Sequence, residues 1–537
     1  MSSVAADSVA TTSSTRPVLD RRPSASSIAL FLALLLAGVG FTIYSLHRDI
    51  SGAAPQQLTF LPYLLLGVAL LIALGFEFVN GFHDTANAVA TVIYTHALVP
   101  EVAVVYSGTL NFLGVLLSSG AVAFGIISLL PVELILQVGS SAGFAMVFAL
   151  LIAAIIWNLG TWWLGLPASS SHTLIGSIIG VGVANALING RSGTSGVDWG
   201  QAAKVGWSLL ISPVVGFVCA ALLLLVLKTL VKNRALYQSP EGKTPPWWIR
   251  GLLILTCGGV SFAHGSNDGQ KGMGLIMLIL IGIVPTAYAL NRAMPVSQMA
   301  PFVTLAKTTQ QSLQQHVSGP VPADPRAVLS TFIRTHAWSD DVVPALASIT
   351  GSVANQIQAS GTLARVPSAS VTNVRNDMYL VSEAVRVLGK DPHAGALGAD
   401  TRASLDAFKK EIDRATKFIP PWVKVAVAIA LGLGTMVGWK RIVVTVGEKI
   451  GKTHLTYAQG AAAEVVAMAT ISAADTFGLP VSTTHVLSSG VAGTMAANGS
   501  GLQMTTVRNL AMAWVLTLPA AIVLAGVLYW FLHLVLT

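Results

Sequence analysis

The sequence predicts an all-α polytopic membrane protein, built from two inverted-topology repeats with broken helices and two re-entrant helical hairpins, plus a soluble insert. Three observations carry this. The 537 residues are 53% hydrophobic and only 10% charged, with mean hydropathy +0.70, which is more apolar surface than a soluble fold of this size can hide. An eight-residue frame occurs twice, as Gly165-Leu166-Pro167-Ala168-Ser169-Ser170-Ser171-His172 and as Gly478-Leu479-Pro480-Val481-Ser482-Thr483-Thr484-His485. A long polar stretch separates the parts of the second half but has no counterpart in the first.

In chain order, residues 1–57 read as an N-terminal tail and an extra transmembrane helix. Arg16, Arg21 and Arg22 precede the first apolar run, but tail and run are both long and no cleavage pattern follows, so the segment reads as uncleaved. Residues 58–245 form the first repeat. Apolar windows from Ser27–Tyr44 to Met512–Val535 approach or exceed the length that spans hydrocarbon, about 20 residues. Residues 246–290 begin the second repeat, 291–420 are the polar insert, and 421–537 complete the repeat. The spacing supports this division. Asp84 and Pro167 are 83 residues apart and Asp268 and Pro480 are 212 apart; the 129-residue difference matches the mixed-charge stretch from Asn291 to Lys417. Runs such as Met378–Leu388 suit helices, so the insert reads as soluble and largely helical.

Basic residues set the orientation. Lys228, Lys232, Arg234, Lys243 and Arg250 stand against one acid, Glu241, and Lys440, Arg441, Lys449 and Lys452 make a second cluster. Both belong on the cytoplasmic side, with the N-terminus. Leu58–Thr95 and Pro246–Pro285 each read as one long broken helix, and Phe144–Asn185 and Thr456–Ala497 as re-entrant hairpins turning at the hydroxyl runs. Three crossings plus a hairpin per repeat then invert the second repeat and put the insert outside, in the periplasm.

The polar breaks carry the chemistry. Two islands lie upstream of the hairpins, Asn80-Gly81-Phe82-His83-Asp84-Thr85-Ala86-Asn87 and His264-Gly265-Ser266-Asn267-Asp268-Gly269-Gln270-Lys271. Unwound backbone at membrane depth is tolerated only where protein or water satisfies it, and duplicated breaks point to a substrate site shared between the repeats of a transporter. Gly81 and Gly265 would loosen the chain, and Pro167 and Pro480 would start new helices. The hydroxyls of Ser169, Ser170, Ser171, Ser482, Thr483 and Thr484, at two facing helix starts, make a cradle for an oxyanion such as phosphate, with the amides of Asn87 and Gln270 as further donors. Ser and Thr at helix starts also serve as plain caps; two copies of one frame favour the shared site.

Asp84 and Asp268 lie in apolar surroundings, where an unpaired charge costs at least roughly 2.5–3.5 kcal/mol. They can bind a co-transported cation, with Asn87 and Asn267 supplying neutral oxygens, or accept a hydrogen bond from hydrogen phosphate, a bond sulfate has no proton to make. Lys271 occupies the place that Asn87 holds in the first island. A fixed ammonium there would stand in for a sodium ion and leave protons as the coupling ion; the plain alternative is a structural ion pair. Glu464 and Glu77 are further membrane carboxylates, Glu464 being the better candidate for coupling. His83 and His264 flank the acids as relays or structural groups, and His172 and His485 support the hairpin tips. The four histidines share no metal-ligand spacing, so no fixed metal site is expected. Cys219 and Cys257 sit in apolar runs and read as packing. The net charge of +8 comes without a basic patch interleaved with aromatics, which argues against nucleic acid as a partner.

Gly81–Ala88, His264–Asp268 and the two Gly-Leu-Pro frames resemble the duplicated signatures of the inorganic phosphate transporter (PiT) family, and His264–Leu278 resembles its low-affinity, proton-coupled bacterial branch. The resemblance covers both repeats but neither the insert nor the N-terminal helix. It implies phosphate bound between the hairpin tips by Asp84, Asn87, Ser169, Ser170, Ser171, Asp268, Ser482, Thr483 and Thr484, coupling to protons or sodium, and a bacterial inner-membrane location. It also implies passage of neutral metal–phosphate complexes. Lys271 departs from the Asn of many members, which puts sodium coupling in doubt. No cofactor is expected beyond the coupling ion, and partners are phosphate, the lipid bilayer and, as for other transporters of this type, a second copy in a homodimer. The nearest rival is a sulfate or other oxyanion transporter on the same scaffold. A membrane phosphohydrolase is disfavoured, because no nucleophile–base set is recognisable.

Overall fold

The computed structural model describes residues 17–19, 23–53, 60–84, 86–130, 132–240, 244–317 and 319–536. Arg16, Arg21, Arg22, Thr85, Glu241 and Lys243, used above, lie outside the described residues. The described chain is helical throughout, its one β-type contact being an isolated bridge between Gly451 and Leu502.

The helices are α1 (Ala25–Gly52), α2 (Phe60–Asp84), α3 (Ala86–Tyr94), α4 (Pro100–Leu117), α5 (Ala121–Ile127), α6 (Val132–Leu136), α7 (Ser141–Trp163), α8 (Ser170–Ile188), α9 (Trp199–Leu230), α10 (Trp247–Ile283) and α11 (Pro285–Tyr288). They continue with α12 (Met299–Gln314), α13 (Pro325–Thr335), α14 (Val342–Ser360), α15 (Ser368–Leu388), α16 (Gly398–Thr416), α17 (Pro421–Thr435), α18 (Lys440–Val444), α19 (Tyr457–Thr476), α20 (Thr483–Asn498) and α21 (Met504–Leu536). Among the described residues seven helices are long and apolar enough to cross a membrane: α1, the α2–α3 run, α4, α7, α8, α9 and α21. Their outward faces carry the exposed large apolar side chains, Leu36 on α1, Val214 and Leu222 on α9 and Val515 and Val523 on α21 among them, as expected where lipid is the solvent.

One expectation fails here. The second island is not unwound: α10 runs for 37 residues straight through His264–Lys271. Gly265 is not a hinge but a contact. A Cβ there would lie 2.2 Å from the Asn111 carbonyl oxygen of α4, and one at Gly81 would lie 2.2 Å from the Leu431 oxygen of α17. Both glycines let helices approach backbone to backbone, the usual device where lipid supplies no hydrophobic drive. In the first island α2 ends at Asp84 and α3 resumes at Ala86.

The frames form the turns of two helical hairpins, α7–α8 and α19–α20. The prolines do not begin the helices. Each sits three residues earlier, in an extended turn, and the caps are Ser169 and Ser482, whose hydroxyls accept from the His172 and His485 backbone N–H groups at 3.2 and 3.1 Å. The ordinary capping role thus belongs to the first hydroxyl of each triplet, leaving the others free to face the interior. α8 packs along α21 and α20 along α9.

Helices α12–α16 pack on one another around Phe302, Leu313, Phe332, Leu346, Val353, Leu405 and Phe408, all buried. Arg386 of α15 bridges Glu383 and Asp198, at 2.5 and 2.8 Å. Glu133 of α6 receives Arg191 at 2.8 Å and Arg334 at 3.4 Å. These contacts tie the bundle to the loops beside α6 and α9.

Candidate substrate site

Both islands and both hairpin turns meet at one buried polar cluster. Ser170, one residue into α8, donates to Asp84 Oδ2 at 2.5 Å and lies 3.3 Å from Asp268 Oδ2, so one hydroxyl joins the carboxylates of the two islands. Thr484 of α20 donates to Asp84 Oδ1 at 2.9 Å and accepts from Asn87 Nδ2 at 3.1 Å. Lys271 Nζ lies 2.6 Å from Asp268 Oδ2 and donates to Ser171 Oγ at 2.5 Å, and that hydroxyl donates to the Val481 carbonyl at 2.7 Å. His83 Nδ1 lies 2.9 Å from Asp84, and His264 Nε2 3.5 Å from Asp268. Every one of these side chains is buried.

The charges here do not balance. Two carboxylates meet one ammonium and two imidazoles, and two oxygens, Asp268 Oδ1 and Thr483 Oγ1, are buried without a hydrogen-bond partner among the described residues. Buried polar groups left in this way are costly unless function uses them. Asp84, His264 and Asp268 also bring ligand atoms within 4.8 Å of one another, a donor set of the kind that holds cations. The linear spacing of the histidines does not reveal it, because only one of them takes part and Asp84 comes from α2 while His264 and Asp268 come from α10. Lys271 already sets an ammonium against this group.

Other expected residues lie elsewhere. Ser169 and Ser482 are caps. Gln270 is turned away from the cluster: its Nε2 donates to Asp475 Oδ1 at 2.7 Å and its Oε1 accepts from Val122 N at 2.9 Å. One residue from Lys271 on a helix, it points to a different face. Asn267 holds the second turn, donating to the Leu479 carbonyl at 3.0 Å and accepting from Val481 N at 3.4 Å. Glu464 is apart from the cluster, accepting from the hydroxyls of Thr91 and Thr256, and buried Glu77 accepts from Asn80 at 3.3 Å. Sequence reasoning missed Asp475. It accepts from Ser266 and Gln270, each at 2.7 Å, and its one signal is its place three residues before Gly478.

A fold of apolar helices around a buried, hydroxyl-lined and partly uncompensated carboxylate pair defines a membrane transporter. The chain belongs to the phosphate transporter family, whose profile matches residues 80–525. It is 44% identical over 487 residues to the low-affinity inorganic phosphate transporter PitA of Escherichia coli K12, covering 87% of this chain and 96% of that one. With PitB of the same organism it shares 42% over 486 residues, with the same coverage. It is 26% identical to a probable low-affinity inorganic phosphate transporter of Bacillus subtilis, over 88% of this chain and 98% of that one. A solved sodium-dependent phosphate transporter aligns at 21% identity and TM-score 0.47, over 88% of this chain and all of the other. The family is one of transporters, not enzymes.

Proposed function

We propose that this chain imports inorganic phosphate, alone or as a neutral metal complex, by proton symport with alternating access in a bacterial inner membrane. The observation that carries this is the single hydrogen-bonded cluster in which Asp84, Asp268 and Lys271 meet Ser170, Ser171 and Thr484. Phosphate entering there would take over hydroxyl donors now spent on the carboxylates. A carboxylate would accept the proton of hydrogen phosphate, which sulfate cannot offer, and this favours phosphate over the rival oxyanion. Lys271 would act as a built-in cation where a sodium-driven carrier binds a mobile one. The proton then needs a carboxylate to carry it; Glu464, held by two hydroxyls, is the candidate.

Two inverted repeats, within the boundaries drawn from the sequence, supply the alternating access. Matched contacts favour this reading. Trp514 Nε1 of α21 donates to the Pro167 carbonyl at 3.0 Å, and Ser208 of α9 donates to the Pro480 carbonyl at 3.1 Å. Each donor lies five residues before the proline inside its own helix, Pro519 and Pro213. The N-terminus and both basic clusters would face the cytoplasm and residues 291–420 the periplasm. Arg441 of the second cluster stacks over Trp162 and Trp163 at the turn of the first hairpin, 5.1 and 4.7 Å from the ring centres, which suits a hairpin that enters from outside.

The test is labelled-phosphate uptake into proteoliposomes, with the pH and sodium gradients imposed separately. Uptake on the pH gradient alone is expected. Dependence on sodium would keep the carrier but remove the role given to Lys271, and sulfate uptake in place of phosphate would overturn the substrate.

A further inference from the structure

His172 and His485 close the two recurring frames, and the sequence gives them no more than a general support of the hairpin tips. Their rings stack on each other across the two hairpins, 4.6 Å between centres and inclined at 41°. His485 also stacks on Trp514, at 4.2 Å and 28°. Trp514 in turn is held to the first hairpin by the bond from its indole N–H to the Pro167 carbonyl. One ring of the second hairpin therefore contacts two rings fastened to the first. These separations fall in the range aromatic rings prefer, about 4.5–7 Å for offset or tilted pairs, or just under it.

The placement is local to the substrate hydroxyls. Each histidine lies in the first turn of its helix, its backbone N–H capped by Ser169 or Ser482. The same turns carry Ser170 and Ser171, or Thr483 and Thr484. His172 Nδ1 and His485 Nε2 are buried and have no hydrogen-bond partner among the described residues. What these side chains supply to each other is ring face. The arrangement is also one-sided, because the position on α9 that matches Trp514 is Ser208, which has no ring to stack.

We infer that His172, His485 and Trp514 are positioning residues: the three-ring stack sets the distance between the two hairpin turns at which Ser170, Ser171 and Thr484 converge on one oxyanion. The inference rests on the reading of that convergence point as the phosphate site. It assigns the spacing to ring contact, so an aromatic ring without nitrogen should serve.

The experiment compares phosphate uptake kinetics of His485→Ala and His485→Phe with the parent chain in proteoliposomes. Loss of the ring should raise KM about tenfold while Vmax changes less than about threefold, and Phe should bring KM back to within about threefold of the parent. A Phe variant as impaired as Ala, or an Ala variant with the parent's KM, overturns the inference. If His485→Ala does not reach the membrane, His172→Ala, which leaves His485 on Trp514, is measured by the same criteria. A readout without substrate separates the two readings. With Cys219 and Cys257 replaced by serine, a cysteine is placed at Ala168, which is fully buried beside Pro167. It should react with a maleimide several-fold faster when residue 485 is Ala and at the parent's rate when it is Phe; equal rates in both overturn the inference. Parent vesicles that carry no phosphate but label as expected would remove the substrate reading and keep the stack.

Discussion

Two of the regions where described residues bring charge out of water are built on opposite rules. At the junction of the helical bundle with the neighbouring loops, acids and bases alternate. Asp198 and Glu383 share Arg386, Glu383 and Asp413 share Lys417, and Asp413 also receives Lys409. In the central cluster the one ammonium, Lys271, pairs with Asp268, while Asp84 is met by His83 and by the hydroxyls of Ser170 and Thr484, the first of which also reaches Asp268. The first arrangement is complete without a ligand and holds the fold together. The second leaves buried oxygens without partners among the described residues, which is the ground for proposing it as the site.

The sharpest way to break this contrast is Asp84→Asn. Asp84 accepts from Ser170 and Thr484 and lies against His83, so the amide disrupts both hairpin contacts at once. Phosphate uptake in proteoliposomes should fall by about 100-fold or more, corresponding to about 3 kcal/mol, with the protein still inserted. Near-parent uptake would remove Asp84 from the site.

Lys271→Asn tests the imbalance from the other side. Removing the ammonium leaves Asp268 with no cation at 2.6 Å, a loss of about 3–5 kcal/mol for a buried pair broken at one partner. Proton-driven uptake should drop by at least about tenfold, and added sodium should restore part of it by occupying the vacated charge. A response to neither ion would reduce Lys271 to a structural pair.

How much of this was legible in the sequence depends on whether a residue acts through its type or through its neighbours. The islands and frames were legible because charge and hydroxyl runs inside apolar sequence are conspicuous by type, and duplication marks them twice. The continuity of α10 was not. Gly265 suggests flexibility along the chain, while its actual use, contact with the Asn111 backbone, depends on a residue 154 positions away in sequence. The division of labour within each triplet was hidden for a related reason. Only the geometry tells that Ser169 and Ser482 serve the backbone while Ser170 and Thr484 reach the carboxylates. Gln270 and Lys271 are adjacent letters on different helix faces, so the island could be located but its contacts could not be divided between the centre and Asp475.

Asp475 sharpens the comparison at the border between the two kinds of site. Its carboxylate accepts from Ser266 and Gln270 of α10, and it lies in the last turn of α19, leading into the hairpin turn. Asp475→Asn should loosen that turn and raise the KM for phosphate by about five- to tenfold, the difference of about 1–1.4 kcal/mol between a charged and a neutral hydrogen bond, with little change in Vmax. An equal loss of Vmax would place Asp475 in the transport step.

The smallest effect is expected where charge is fully compensated. Burial acts to raise the Asp413 carboxyl, but Lys417, Lys409 and the Ser382 hydroxyl outweigh it and hold the group below the usual aspartate range. A carboxylate depressed in the folded state adds stability that is present above its unfolded value, about 3.9, and is lost as pH falls through the lower folded value. Asp413→Asn should therefore cost about 1 kcal/mol at neutral pH, the scale of a partly exposed ion-pair network. For a chain of this size that is a fall in Tm of about 1 °C. The gap between variant and parent should close as the pH is taken below about 4, while phosphate uptake at pH 7 stays at the parent's rate. A loss of uptake with Tm unchanged would show that the junction takes part in transport, and the distinction between compensated and uncompensated charge would then fail as a guide to function in this molecule.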